Sequence, residues 1–363
     1  MILVVDYDLK KIEFRYLGER SDGATASNCV KDARGGLDAA SIKECVYSIT
    51  GRSKIKAIAF RLLFGGDIFH KPVLIDKRFL KNFGKLTGLF PFYIPSAMDL
   101  LKVFGYLFKD VPMVAFFETS FFCGLPDEEK YYAIPFEYCR QGKIRKWGFH
   151  GIFHEAGAGI FSSGDKTVSV VFGKQTTVCA VHKRAPLSIS LGYTPLEGIM
   201  SRTACGDLDP GIVFYLMNTI GLSIYEIDEM LKNKSGFLGL TGYDIEMKDI
   251  LKLRGRDAKV NMALDVYRSH ITKHIGEALS VLGGLDNIVF SGENVDIFVP
   301  IIHGIIKDVA FLGIHPADLP WDKDKEISRI SSDQSRVKAY INRMSLSRII
   351  FYETGLLMNA GKN

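Results

Sequence analysis

Apolar positions along the chain follow two rhythms. Short runs that alternate with period two, or stay apolar throughout, mark strands at Ile2 to Val5, Ile12 to Leu17, Ile55 to Leu63, Val111 to Phe117, Thr167 to Phe172 and Ile288 to Phe290. The first two are separated by a turn at Asp6-Tyr7-Asp8-Leu9-Lys10, and the third ends at Gly65-Gly66. Helical spacing governs Leu264 to Leu282, with apolar residues at 264, 267, 271, 275, 278 and 282 and a stop at Gly283-Gly284. Asp209 caps a helix that has Pro210 at its first position and Gly221 as its stop. Ser223 and Glu226 form a capping box that opens another helix, which Gly236 terminates. Ser21 to Gly36, rich in glycine, serine, alanine and charge, reads as a surface excursion, and a last helix spans about Ser347 to Leu357.

Composition narrows the function classes. At 363 residues the chain is long enough for two domains with full cores, and 47% apolar with 24% charged residues is globular rather than disordered. A net charge of +5 without a long lysine and arginine cluster argues against a nucleic-acid partner and reads as a solvated face. The six cysteines show neither a Cys-x-x-Cys pair nor zinc-ligand spacing, which predicts reduced, mostly buried thiols in a cytoplasmic protein. No apolar run approaches the roughly 18 residues that span a bilayer. Met-Ile-Leu-Val-Val-Asp lacks a basic region and a cleavage site, so it reads as a first strand and not a signal peptide. His270 and His274 stand one helical turn apart; without a third ligand nearby in sequence, two solvated histidines are expected rather than a metal pair.

Chemistry concentrates in Lys146 to His154, Lys-Trp-Gly-Phe-His-Gly-Ile-Phe-His. Gly148 and Gly151 permit tight turning and close approach to a ligand, Trp147 and Phe149 can exclude water, and His150 can supply a proton or a charge near neutral pH. The same residues also suit an ordinary hydrogen-bonded histidine in a glycine-containing loop. Arg61 is a charge inside an apolar strand, suited either to a structural ion pair or to holding an oxyanion in its fork. Glu118 sits at the carboxyl end of a buried strand, where α/β proteins place chemistry and where a capping role is equally open.

Trp-Gly-Phe-His-Gly followed three residues later by His resembles the signature of the acetate kinase (acetokinase) family of the actin-like ATPase superfamily. Further pieces follow in family order over nearly the whole chain. They are Phe-Arg-Leu-Leu-Phe-Gly-Gly around Arg61, Phe116 to Phe121, Gly192 to Gly198, Gly206-Asp207-Leu208-Asp209-Pro210 and Leu282 to Asp286. The resemblance implies an α/β, two-domain actin-like ATPase (ribonuclease H-like) fold with an interdomain cleft. Residues 1–117 plus 347–363 would form the N-terminal domain, and 118–346 the C-terminal nucleotide-side and dimerisation domain. It implies a homodimer that uses ATP/ADP with Mg2+ to phosphorylate a small-molecule carboxylate. Arg61, Glu118 and His150 would be catalytic, with Glu118 also at the metal. Leu63, Phe92, Phe149 and Pro195 would form the acyl pocket, and Gly173, Lys174, Gly292 and Glu293 would hold nucleotide phosphates.

Several positions depart from the family pattern. Where the family's opening hairpin carries Asn, Gly, several Ser and a Lys, this chain has Asp6 to Lys11 and then Glu13. Two carboxylates and an aromatic ring there oppose phosphate binding. Tyr93 and Ile94 replace a His and an Asn, and Glu118 replaces an Asp. The second phosphate loop keeps only Gly173, with Val171, Lys174 and Gln175 at altered positions, and the turn at Ser291-Gly292-Glu293-Asn294 is shortened. Ala204 stands where an arginine belongs, with Arg202 two residues earlier, and Ser345 stands in place of a metal-site glutamate. Three functions follow as expectations: a carboxylate kinase with an altered nucleotide and metal site, an inactive homologue that binds or scaffolds a protein partner, or an enzyme with a changed phosphoryl donor or acceptor.

Overall fold

The computed structural model describes residues 1–18, 27–32, 38–51, 53–317, 322 and 324–360. Two compact units divide it, Met1–Cys123 with Ser345–Asn363, and Gly124–Met344. Among the described residues each unit carries one six-stranded sheet.

The first sheet contains β1 (Ile2–Asp8), β2 (Lys11–Leu17), β3 (Ser27–Asp32), β4 (Ala57–Leu62), β5 (Val73–Leu74) and β6 (Met113–Phe117), in the order β3-β2-β1-β4-β6-β5. β1, β4 and β6 run parallel, and β1 turns back antiparallel into β2. The apolar character of β6, and of β4 up to Arg61 near its end, follows from this central position, since a parallel strand covered on both faces has no polar side. The helix Ile94–Leu107 lays Phe104 edge-on against Phe60 at 5.0 Å, and the helix Leu346–Ala360 packs on β1, β2 and β4.

The second sheet contains β7 (Thr167–Val171), β8 (Thr177–His182), β9 (Ala185–Ile189), β10 (Asn287–Ser291), β11 (Ile327–Arg329) and β12 (Lys338–Asn342), in the order β11-β12-β10-β7-β8-β9. Its core closes against the helix Ala258–Leu282, whose Leu264, Tyr267, Ile271, Ile275, Ala278 and Leu282 are all buried, as their spacing predicts. Asp257 caps this helix by accepting from the Val260 amide, and Gly283 ends it at φ 60°.

Four expectations need correction. β1 continues through Asp8, so only Leu9 and Lys10 turn; Tyr7 is buried and Asp6 pairs across the sheet, which gives the strand reason to go on. The helix opened by Ser223 ends at Asn233, and Gly236 opens the next one; a Cβ at Gly236 would stand 2.1 Å from the Ser201 carbonyl oxygen, so the glycine serves close backbone approach. Within the expected excursion at 21–36, β3 is a strand on the edge of the sheet, and residues 19–26 and 33–37 lie outside the described residues. Cys29 and Cys45 form a disulfide, with their Cα atoms 5.9 Å apart, while Cys123, Cys139, Cys179 and Cys205 are thiols. Spacing along the chain carried no sign of that bond, because β3 and the helix Ala39–Thr50 bring the pair together.

Candidate functional site

In the first unit a row of charges crosses the ends of three parallel strands. The β1–β4 register sets Asp6 beside Arg61, and the β4–β6 register sets Arg61 beside Phe116, two residues before Glu118. Arg61 Nε donates to Glu118 Oε1 at 2.6 Å, and Arg61 Nη1 donates to Asp6 Oδ1 at 2.8 Å. Burial opposes the guanidinium charge, but Glu118 and then Asp6 outweigh it and raise the Arg61 pKa further. Glu118 is 1% exposed, and its Oε2 has no hydrogen-bond partner among the described residues. An acceptor oxygen orphaned at that depth is costly unless a donor or a cation arrives.

Tyr93, wholly buried, accepts from the Leu63 amide at 2.9 Å, donates to the Tyr7 carbonyl and stacks on the Tyr7 ring at 5.6 Å. Burial pushes its hydroxyl well above the usual tyrosine range. Leu63 is half-buried, and Phe92 is 80% exposed. In the hairpin, Asp8 Oδ1 accepts from the Lys10 and Lys11 amides at 3.1 and 2.9 Å. Glu13 is nearly buried between Lys11 and Arg15, and although burial opposes its charge, those two cations hold its carboxyl below the usual range.

In the second unit His150 caps the helix Gly151–Gly159 in the left-handed region at φ 62°, following Gly148 at the same φ. A non-glycine residue holds that conformation only where its surroundings enforce it. Part of the enforcement is Thr177, whose Oγ1 lies 3.0 Å from His150 Nδ1 and 2.9 Å from His154 Nε2; His154 Nδ1 in turn lies 2.9 Å from Ser169 Oγ. Burial, with His150 second, holds His154 well below the usual imidazole range, so His154 is neutral. Thr177 has one proton, so it donates to at most one of the two rings and accepts from at least one of them. Sequence reasoning did not single out Thr177, and a hydroxyl one strand away from a signature histidine gives no local signal.

The two glycine turns meet beside this histidine. A Cβ on Gly173 would sit 3.5 Å from the His150 ring, and one on Gly292 would sit 1.9 Å from the Phe172 carbonyl oxygen. The Phe172 amide donates to the Ser291 carbonyl at 2.8 Å, which locks the end of β7 to the end of β10. Lys174 is exposed and Glu293 half-buried at the same turns, Gln175 donates to the Pro195 carbonyl, Pro195 is exposed and Phe149 half-buried. Thus His150, Gly173 and Gly292 come together within the second unit.

A further charged group lies in this unit, around a cavity of about 310 Å³ lined in part by Glu129, Lys146, Glu197, Asp207, His274 and Glu277. Lys146 Nζ bridges Glu129 at 3.2 Å and Glu197 at 3.3 Å, and Tyr132 donates to Glu197. His274 is not solvated as expected: its side chain is 11% exposed and lies between Asp207 at 3.2 Å and Glu277 at 2.7 Å. Burial opposes its charge, but Asp207 and Glu277 raise its pKa. His270 is half-buried, with Nδ1 lacking a partner among the described residues, and no group of three candidate metal ligands occurs among them.

Arg202 pairs with Asp244, and Ala204 is buried. Ser345 accepts from the Arg348 amide at the start of the last helix.

A model of the acetokinase family matches residues 19–350. An acetate kinase from Fervidobacterium nodosum is 32% identical over 334 residues, covering 88% of this chain and 81% of the relative. The crystal structure of Porphyromonas gingivalis acetate kinase superposes with a TM-score of 0.88 at 22% identity, covering 98% of this chain and 99% of that one. A propionate kinase from Francisella tularensis gives 0.82 at 25% identity, covering 96% and 97%.

Proposed function

This chain belongs to the acetokinase family, with its two-domain actin-like α/β fold, and on that premise we propose that it transfers the γ-phosphoryl group of ATP to a short-chain carboxylate, giving ADP and an acyl phosphate. The observation that carries this reading is the 2.6 Å contact between Arg61 and Glu118. It sets a permanently charged fork beside a buried carboxylate with one unsatisfied oxygen, at the carboxyl ends of parallel strands. Arg61 orients the acceptor carboxylate, and His150 presents a proton or positive charge to the transferring phosphoryl group. Leu63, Phe92, Phe149 and Pro195 face the acyl chain, while Gly173, Lys174, Gly292 and Glu293 face the nucleotide.

Glu118 Oε2 fits Mg2+, which takes one or two protein carboxylates and completes its shell with water and phosphate oxygens. Bound there, the ion would neutralise charge on the phosphates. In this reading residues 1–117 with 347–363 serve the acceptor side, and 118–346 serve the nucleotide and a homodimer contact. The dimer is supported by exposed apolar side chains from Ile212 to Tyr225, among them Phe214 at 63% and Tyr225 at 84%. No described helix is long and apolar enough to cross a membrane.

A second reading, an inactive homologue that binds or scaffolds a protein partner, is favoured by one observation: Asp6 already occupies Arg61. Incubation of the purified protein with ATP, Mg2+ and acetate or propionate, with hydroxylamine trapping, decides between the two. ATP-dependent acyl hydroxamate is expected. Its absence across short-chain carboxylates, with nucleotide still bound, would leave the second reading.

A further inference from the structure

Asp6, Arg61 and Glu118 form a row whose side-chain exposure falls inward, from 32% to 14% to 1%. Asp6 is therefore the outer member, the group that an anion approaching Arg61 meets first. Its Oδ1 stands 2.8 Å from Nη1, the distance that an oxygen of a bound carboxylate or phosphate would take. We propose that Asp6 is an intramolecular occupant of the anion-binding edge of Arg61, and that acceptor affinity in this protein is set by displacement of the Asp6 carboxylate. The proposal rests on Arg61 as the acceptor clamp.

Three features support it. One guanidinium between two carboxylates leaves the row net negative, so an incoming carboxylate meets repulsion until Asp6 turns away. The pairing is also fixed by the backbone, because β1 is bonded on both sides and its register sets Asp6 beside Arg61. Finally, Asp8 repeats the arrangement two residues on, its carboxylate accepting from the amides of Lys10 and Lys11. Two sets of oxyanion donors in one hairpin and its neighbouring strand are thus filled by carboxylates of β1 itself. Asp6 in this role is a specificity-determining residue: it admits only an anion that outcompetes its carboxylate for Nη1 of Arg61.

The test is calorimetric titration of inorganic phosphate, and separately of acetate, into the wild-type protein, Asp6→Asn, and Asp6→Asn combined with Arg61→Gln. Asp6→Asn should bind phosphate about tenfold or more tightly than wild type, and Arg61→Gln should abolish the gain. Equal or weaker binding by folded Asp6→Asn overturns the proposal and leaves Asp6 a structural counter-charge. Should that variant fail to fold, crystals of the wild-type protein in phosphate answer the question without a substitution. Phosphate on Arg61 with the Asp6 carboxylate rotated away is the expected result; phosphate on Nη1 with Asp6 still bonded to it, or no phosphate there at saturating concentration, overturns it. Acyl phosphate formation is assayed in parallel. Tighter anion binding by Asp6→Asn without turnover in either protein removes the kinase reading and keeps this one, while wild-type turnover with unchanged anion affinity does the reverse.

Discussion

Thr177 Oγ1 lies 3.0 Å from His150 Nδ1, and its other neighbour, 2.9 Å away, is the Nε2 of a buried neutral histidine, His154. Where Thr177 accepts from His150, the proton is held on Nδ1 and Nε2 is left to face a ligand. Thr177→Val should lower kcat roughly tenfold with little change in acceptor KM, and Thr177→Ser should restore it. The His150 ring resonances, followed by NMR through a pH series, should titrate differently in the valine variant. Unchanged kcat together with an unchanged titration would make the contact merely structural.

His154 links folding to acid. Its pKa is depressed in the folded chain, whereas an unfolded histidine takes up its proton near pH 6.5. Below that pH the unfolded state binds more protons, so this contribution to stability is present above about pH 6.5 and is lost as pH falls towards the depressed folded value. Urea unfolding of wild type and His154→Gln between about pH 5 and 7 should show a flatter pH dependence in the variant. Parallel curves would mean that His154 is not the linked group.

Gly292 has φ 133°, and a Cβ there would strike the Phe172 carbonyl oxygen at 1.9 Å, a backbone atom that no rotamer can move aside. Gly292→Ala should cost about 2 kcal/mol or more by denaturant unfolding. A loss below about 0.5 kcal/mol would show that the two strand ends tolerate separation.

The apolar surface from Ile212 to Tyr225 includes no buried residue in the helical stretch Pro210–Ile220. Sedimentation should give a dimer for the wild-type protein and a monomer for Phe214→Asp combined with Tyr225→Asp, since charge placed in a desolvated interface is strongly unfavourable. A wild-type monomer at micromolar concentration would leave the surface to another partner.

Thiol titration of the unfolded, unreduced protein should count four groups, Cys123, Cys139, Cys179 and Cys205, and six after reduction. Six without reductant would mean that Cys29 and Cys45 are held close but unbonded.

Properties of single elements were legible in the sequence. The buried stripe of Ala258–Leu282, the Asp209 and Ser223 caps, and the identity of Arg61, Glu118 and His150 as polar residues in costly places all follow from local spacing and burial. What escaped depends on neighbours distant in the chain. Arg61 and Asp6 meet through strand register, Cys29 and Cys45 through the docking of a helix on an edge strand, and His274 and Asp207 across 67 positions. Asp6 could be recognised as a departure from pattern, yet nothing in a one-dimensional string shows which cation it would claim.

The position of Asp6 on an interior strand also fixes how fast the clamp can open. β1 is bonded to β2 and β4, so its backbone stays while the carboxylate leaves by rotation about its own side-chain bonds. Such rotations occur in nanoseconds or less at exposed positions, far faster than the movement of a loop or domain. Ligand entry at Arg61 should therefore show no lag and no saturation of the observed rate with concentration. The barrier is a toll on affinity and not on time.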